Sequence, residues 1–172
     1  MVRLLAWLLA ALLALAAAGC GGAPPGQPRA GDGVLDLARW TFARDGPVSL
    51  DGQWRFQWQV FGEPEDAAAA ARGVPVQVPG AWNGVAGGTG GKGFGTYHLR
   101  VDCRETGDLA LSLPMQHSAL RLWVNGRLVA QQGQPGPTAG QAQPAARQQI
   151  AQLDGLACPL QIVAHVSNHE LP

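Results

Sequence analysis

The chain is 172 residues long, and its 12 Lys and Arg balance 12 Asp and Glu, so the formal net charge is zero at neutral pH. No basic patch or charge block stands out, which argues against nucleic-acid binding and against a charged interaction tail. The length suits one domain.

The N-terminus reads as an address. Arg3 precedes an unbroken apolar run from Leu4 to Ala18. That run is shorter than the ~20 residues of a bilayer span and has the length of a secretory signal core. It ends in Ala16-Ala17-Ala18-Gly19-Cys20, which resembles the lipobox of bacterial lipoproteins. The resemblance implies cleavage after residue 19 and lipidation of Cys20, although the family prefers Leu where Ala17 stands. With Gly21 rather than Asp next, it implies no inner-membrane retention signal. The alternative is an ordinary signal peptide that happens to contain a cysteine. Residues 1–19 are therefore expected to be a signal peptide, 20–32 a flexible Gly/Pro/Ala tether, and 33–172 the folded domain. Export implies an oxidising compartment, where Cys103 and Cys158 either bond or stay as two buried thiols. There is no Cys-x-x-Cys pair, and no metal site is expected.

The domain begins at Gly33-Val-Leu-Asp-Leu-Ala-Arg-Trp40, with a turn at Asp45-Gly46-Pro47. In Val48–Trp58, Trp54, Phe56 and Trp58 alternate with Gln53, Arg55 and Gln57. That period of two predicts a half-buried strand with its aromatics in the core. Glu63-Pro64-Glu65-Asp66 and the alanines up to Arg72 predict one short helix. Val74, Val76 and Val78 alternate, and prolines 75 and 79 make this an edge strand or extended loop. The glycine-rich Gly84–Gly95 is no phosphate loop, because no Gly-Lys-Ser/Thr closes it. It is either a lid or a surface excursion. Tyr97, Leu99 and Val101 mark a further strand, as do Leu109, Leu111 and Leu113.

Ala119–Val129 predicts a hairpin about Asn125-Gly126, since both central residues of a type I′ turn need positive φ. Trp123 lies beside that turn. Gln131–Gln149 reads as a long polar connection, and Leu160–Val166 as the last clear strand. Strands spaced by turns, with no strand–helix alternation, give an all-β antiparallel β-sandwich.

Five segments in order carry a resemblance. They are Leu50-Asp-Gly-Gln-Trp-Arg-Phe, Val78-Pro-Gly-Ala-Trp-Asn83, Gly95-Thr-Tyr-His-Leu-Arg-Val, Leu120-Arg-Leu-Trp-Val-Asn-Gly and Ile162-Val-Ala-His-Val-Ser-Asn168. Together they resemble the galactose-binding-like jelly roll. The nearest likeness is the extracytoplasmic N-terminal domain of bacterial sensors called seven-transmembrane receptors with diverse intracellular signalling modules. The same segments are similar to the sugar-binding domain of family 2 glycoside hydrolases. The resemblance implies a periplasmic module that binds a carbohydrate or other small molecule for a receptor, here without transmembrane and output parts. A stand-alone lipoprotein that binds carbohydrate or a periplasmic protein partner, and a detached glycosidase domain, are the alternatives. A jelly roll needs about eight strands, and six to eight candidates leave a closing strand in question.

No catalytic residue is expected. His98 and His165 alternate against apolar strand positions, so they are expected to face solvent, and His117 sits in a connection. No carboxylate pair of the glycosidase kind and no Gly-x-Ser-x-Gly elbow is present. The chain is therefore read as a binder without cofactor. The ligand-binding candidates are Trp82 and Asn83 in a loop at a strand end, with Tyr97, Arg121 and Asn125 second. Trp82 has an alternative role as a plug sealing the core, and Asn125 as a turn residue.

Overall fold

A computed structural model describes residues 26–85, 90–104 and 107–170. The expected signal peptide, Cys20 and the first part of the expected tether lie outside the described residues, as do 86–89 of the glycine-rich segment. Alternation of large apolar and polar side chains sets the main sheet. Its strands are β1 (Val34–Asp36), β2 (Gly52–Trp58), β3 (Val74–Val78), β4 (Gly93–Asp102), β6 (Ala119–Val124), β7 (Arg127–Gln132) and β9 (Leu160–Asn168). The order is β3-β2-β4-β9-β6-β7, and β1 pairs with the C-terminal end of β4. Every pairing is antiparallel except β1 with β4, which is parallel. The proline-bearing β3 lies at an edge, where a missing backbone donor costs no ladder bond.

The second layer is a two-stranded sheet of β5 (Ala110–Leu113) and β8 (Gln149–Gln152). Its inward Leu113 and Ala151 pack with Leu99, Leu120, Leu122, Val124, Ile162 and Ala164 of the large sheet. Trp40, Phe42, Val48 and Leu50, on the segment after β1, help to close the same core. The molecule is thus an all-β sandwich with nine strands among the described residues. Cys103 and Cys158 are joined by a disulfide that ties the end of β4 to the start of β9, with Cα atoms 5.4 Å apart.

The expected short helix is present and its type is now defined. The alanine run forms a 3-10 helix, Ala67–Arg72, and Pro64 lies ahead of it. Asp66 caps it by accepting from the Ala68 N–H, and pairs with Arg72 at 2.7 Å. A single α-helical turn, α1 (Phe42–Asp45), leads into the Asp45-Gly46-Pro47 turn, with Gly46 as its C-cap. Just after the polar connection lies β8, a strand the sequence reading did not include; its Ile150 points outward at 64% exposure while only Ala151 is buried.

Candidate functional site

The core-facing side of the large sheet carries Trp54, Phe56, Tyr97, Leu99, Leu122 and Ile162. The opposite, outer side carries the alternate residues. Backbone register aligns Gln57, Thr96, His165, Arg121 and Gln131 in one row across five strands. The next row is Arg55, His98, Val163, Trp123 and Leu128. Residues 59–72 cross this outer face as a strap.

The strap is pinned by side chains that strand alternation alone would leave in solvent. The Thr96 hydroxyl donates to the Val60 carbonyl (2.6 Å) and accepts from the Gly62 N–H (3.1 Å), and Thr96 is fully buried. His165 Nε2 meets the Gly62 carbonyl at 2.8 Å. Its ring stacks on Phe61 (4.7 Å) and lies 4.6 Å from Trp123. His98 is 4% exposed, and its Nε2 bonds to Gln57 Oε1 at 3.1 Å. The expectation that both histidines face solvent is therefore corrected: the strap covers them. Burial, helped by the neighbouring His165, pushes His98 down to about 4. Burial also lowers His165, opposed by its bond to the Gly62 carbonyl.

Between the strap and the β6–β7 hairpin runs a groove of about 250 Å³. Val163 and His98 belong to its sheet floor, and Pro64, Glu65, Asp66 and Ala70 form the strap side. Asn125, Gly126 and Gln161 complete it. Its lining mixes apolar Val163, Pro64 and Ala70 with polar groups, and its volume falls just below the ~300 Å³ at which small-molecule sites usually begin. Asp66 is held below the usual carboxylate range, chiefly by its hydrogen bond to Arg72.

The five sequence candidates do not converge. Trp82 is 7% exposed and stacks on Phe56 at 5.6 Å, with Trp58 edge-on at 5.4 Å and Tyr97 at 6.3 Å. Its indole N–H donates to the Gly91 carbonyl at 2.8 Å. The ring faces lie inside the domain, in the plug position. Asn83, next to it, is exposed. Tyr97 lies 4.5 Å from Phe56, and burial pushes its hydroxyl up to about 12. Arg121 is on the outer face, across the sheet from Tyr97. Asn125 takes positive φ in the turn; its Nδ2 donates to the Ala157 carbonyl and its Oδ1 accepts from the Gln161 N–H. It borders the groove with its side chain already committed. Glu65, Asp66, His98, Gln161 and Val163 were not singled out from sequence as ligand contacts. The available signal was apolar Val163 and Trp123 at outward positions of otherwise alternating strands.

No family model matches the chain, and no curated protein sequence does. Solved structures do match. The β-glucuronidase of Faecalibacterium prausnitzii is 18% identical, with a TM-score of 0.52, over 70% of this chain and 20% of that enzyme. The β-D-glucuronidase of Dictyoglomus thermophilum is 14% identical, with a TM-score of 0.47, over 72% and 19%. The β-glucuronidase of Ruminococcus gnavus is 18% identical, with a TM-score of 0.46, over 72% and 21%. This chain spans about a fifth of the length of these enzymes. At such identity the likeness, carried by the first of them, is one of fold: a β-sandwich of the kind built into a glucuronidase.

Proposed function

We propose that this protein is a non-catalytic carbohydrate-binding module that works outside the cytoplasmic membrane. The groove carries the reading. Its Val163 and Pro64 suit the C–H face of a sugar ring, while Glu65 and Gln161 offer hydrogen-bonding groups to hydroxyls. The Cys103–Cys158 disulfide supports an exported location, and Cys20 supplies the lipid anchor. In this reading the module is the ligand-binding head of a bacterial signalling receptor. The likeness to part of a glucuronidase favours a second reading, a sugar-binding domain of a family 2 glycosidase.

The test is a screen of mono- and disaccharides against the mature full chain, followed by calorimetric titration. Glu65→Ala and Gln161→Ala are each expected to weaken the best neutral sugar at least tenfold, with the melting temperature within about 2 °C of wild type, as for surface changes. Sugar binding that ignores both substitutions refutes the groove.

A further inference from the structure

Arg44 pairs with Asp45, Arg55 with Asp32, Arg72 with Asp66 and Arg100 with Asp102. Arg121 is different. It lies mid-strand on the outer face, half-buried, and its Nε is wholly buried with no hydrogen-bond partner. An unmet buried donor is costly, more so on a charged group, and such groups in native folds call for an explanation. Its cross-strand neighbours are His165 and Gln131, neither of them an anion. The Gln131 side-chain amide is spent on the Gly133 carbonyl, and its backbone carbonyl accepts from Arg147 at 2.6 Å. A second guanidinium therefore reaches the same row. Two residues along β6, on the same face, stands half-buried Trp123 beside Leu128, which is 48% exposed. On the strap, Glu63 is close enough for its charge to act on His165, yet it forms no ion pair with Arg121 among the described residues.

We propose that Arg121 and Trp123 form a second binding site, which takes an acidic sugar with its carboxylate on the guanidinium and its ring along the indole. The planar guanidinium fork matches a carboxylate geometrically, which a lysine would not do. The indole offers an apolar surface to the C–H face of a pyranose. Arg147 adds positive charge beyond Gln131. Neither Arg121 nor Trp123 lines the groove, so this site stands or falls separately from it.

The test titrates the mature full chain with D-glucuronate and D-galacturonate, with D-glucose and D-galactose as neutral counterparts. Sodium sulfate serves as a bare anion. Calorimetry gives affinities, and the arginine Nε–Hε signals in nitrogen-15 NMR report the site directly. Uronates are expected to bind at least tenfold tighter than their neutral counterparts and to move the Arg121 signal. Arg121→Gln should erase that preference, while Glu65→Ala and Gln161→Ala should leave it. Equal binding of neutral and acidic sugars overturns the proposal. So does sulfate that moves the Arg121 signal as far as uronate and displaces it fully, because the site then reads charge alone. Should Arg121→Gln fail to fold, the wild-type NMR titration still decides. A double-mutant cycle showing Arg121 and Glu63 coupled without ligand would make Arg121 half of an internal ion pair, and so overturn the proposal. Neutral-sugar binding lost in the groove variants bears only on the groove.

Discussion

Replacing Trp82 separates a structural aromatic from a ligand platform. The side chain is 7% exposed, stacked on Phe56, edge-on to Trp58 and near Tyr97, with its N–H bonded to the Gly91 carbonyl. Truncating a buried Trp to Ala costs ~3–5 kcal/mol, from lost transfer free energy and the cavity left behind. For a domain of this size that lowers the melting temperature by roughly 10 °C. Trp82→Phe keeps most of the ring contact and gives up the N–H bond. The Gly91 carbonyl retains a donor in Asn168 Nδ2 at 2.9 Å, so no acceptor is orphaned and the expected loss is only about 1 kcal/mol. Thermal unfolding followed by circular dichroism reads both variants. A Trp82→Ala protein that melts within 2–3 °C of wild type but loses any sugar binding found for the wild type in the screen would refute the plug and restore Trp82 as a binding platform.

Two further perturbations test the frame around the groove. Cys103→Ser with Cys158→Ser opens a loop with a sequence separation of 55, for which chain entropy predicts a loss of about 4 kcal/mol. Denaturant melts of the double variant check this, and an unchanged midpoint would argue against the entropic account. His98 titrates at about 4 in the fold, below its unfolded value near 6.5, because burial disfavours its charged form. The native state therefore binds fewer protons than the unfolded chain between those values, and stability is lost as pH falls from about 6.5 towards 4. The contribution is of order 2 kcal/mol after allowance for solvent screening. His98→Gln should flatten that part of the profile, and an unaltered pH dependence in the variant would place the titration elsewhere.

Much of the sandwich was legible because its physics is local. Trp54, Phe56 and Trp58 alternate with glutamines and arginine, so one face of β2 had to be buried. Asn125-Gly126 fixes the β6–β7 turn through backbone conformations that few residue pairs adopt at low cost. β8 escaped because only Ala151 faces the core, and a single small inward residue makes no periodic signal. The parallel pairing of β1 with β4 is a long-range event that three residues cannot announce. The covered outer face was missed for a different reason. Alternation assigns His98 and His165 to the polar side correctly, but says nothing of what then covers that side. A strap without periodicity does so, and its position depends on side-chain bonds made across the sheet.

Those bonds connect the fold to the proposed site. Burying Thr96, His98 and His165 on a sheet face costs desolvation unless each finds a partner. Thr96 and His165 find theirs in strap backbone, at Val60 and Gly62, and Phe61 completes the anchor by stacking on His165. With the strap fixed there, the chain leads to Glu65 opposite the Gly126 turn and returns through the Asp66-capped 3-10 helix. The space left between them is the groove. Its width is set by rigid partners on both sides, the bonded strap on one and the Asn125-clamped hairpin on the other. Ligand preference should therefore follow the strap residues, chiefly Glu65, while the sheet beneath serves mainly to hold them in place.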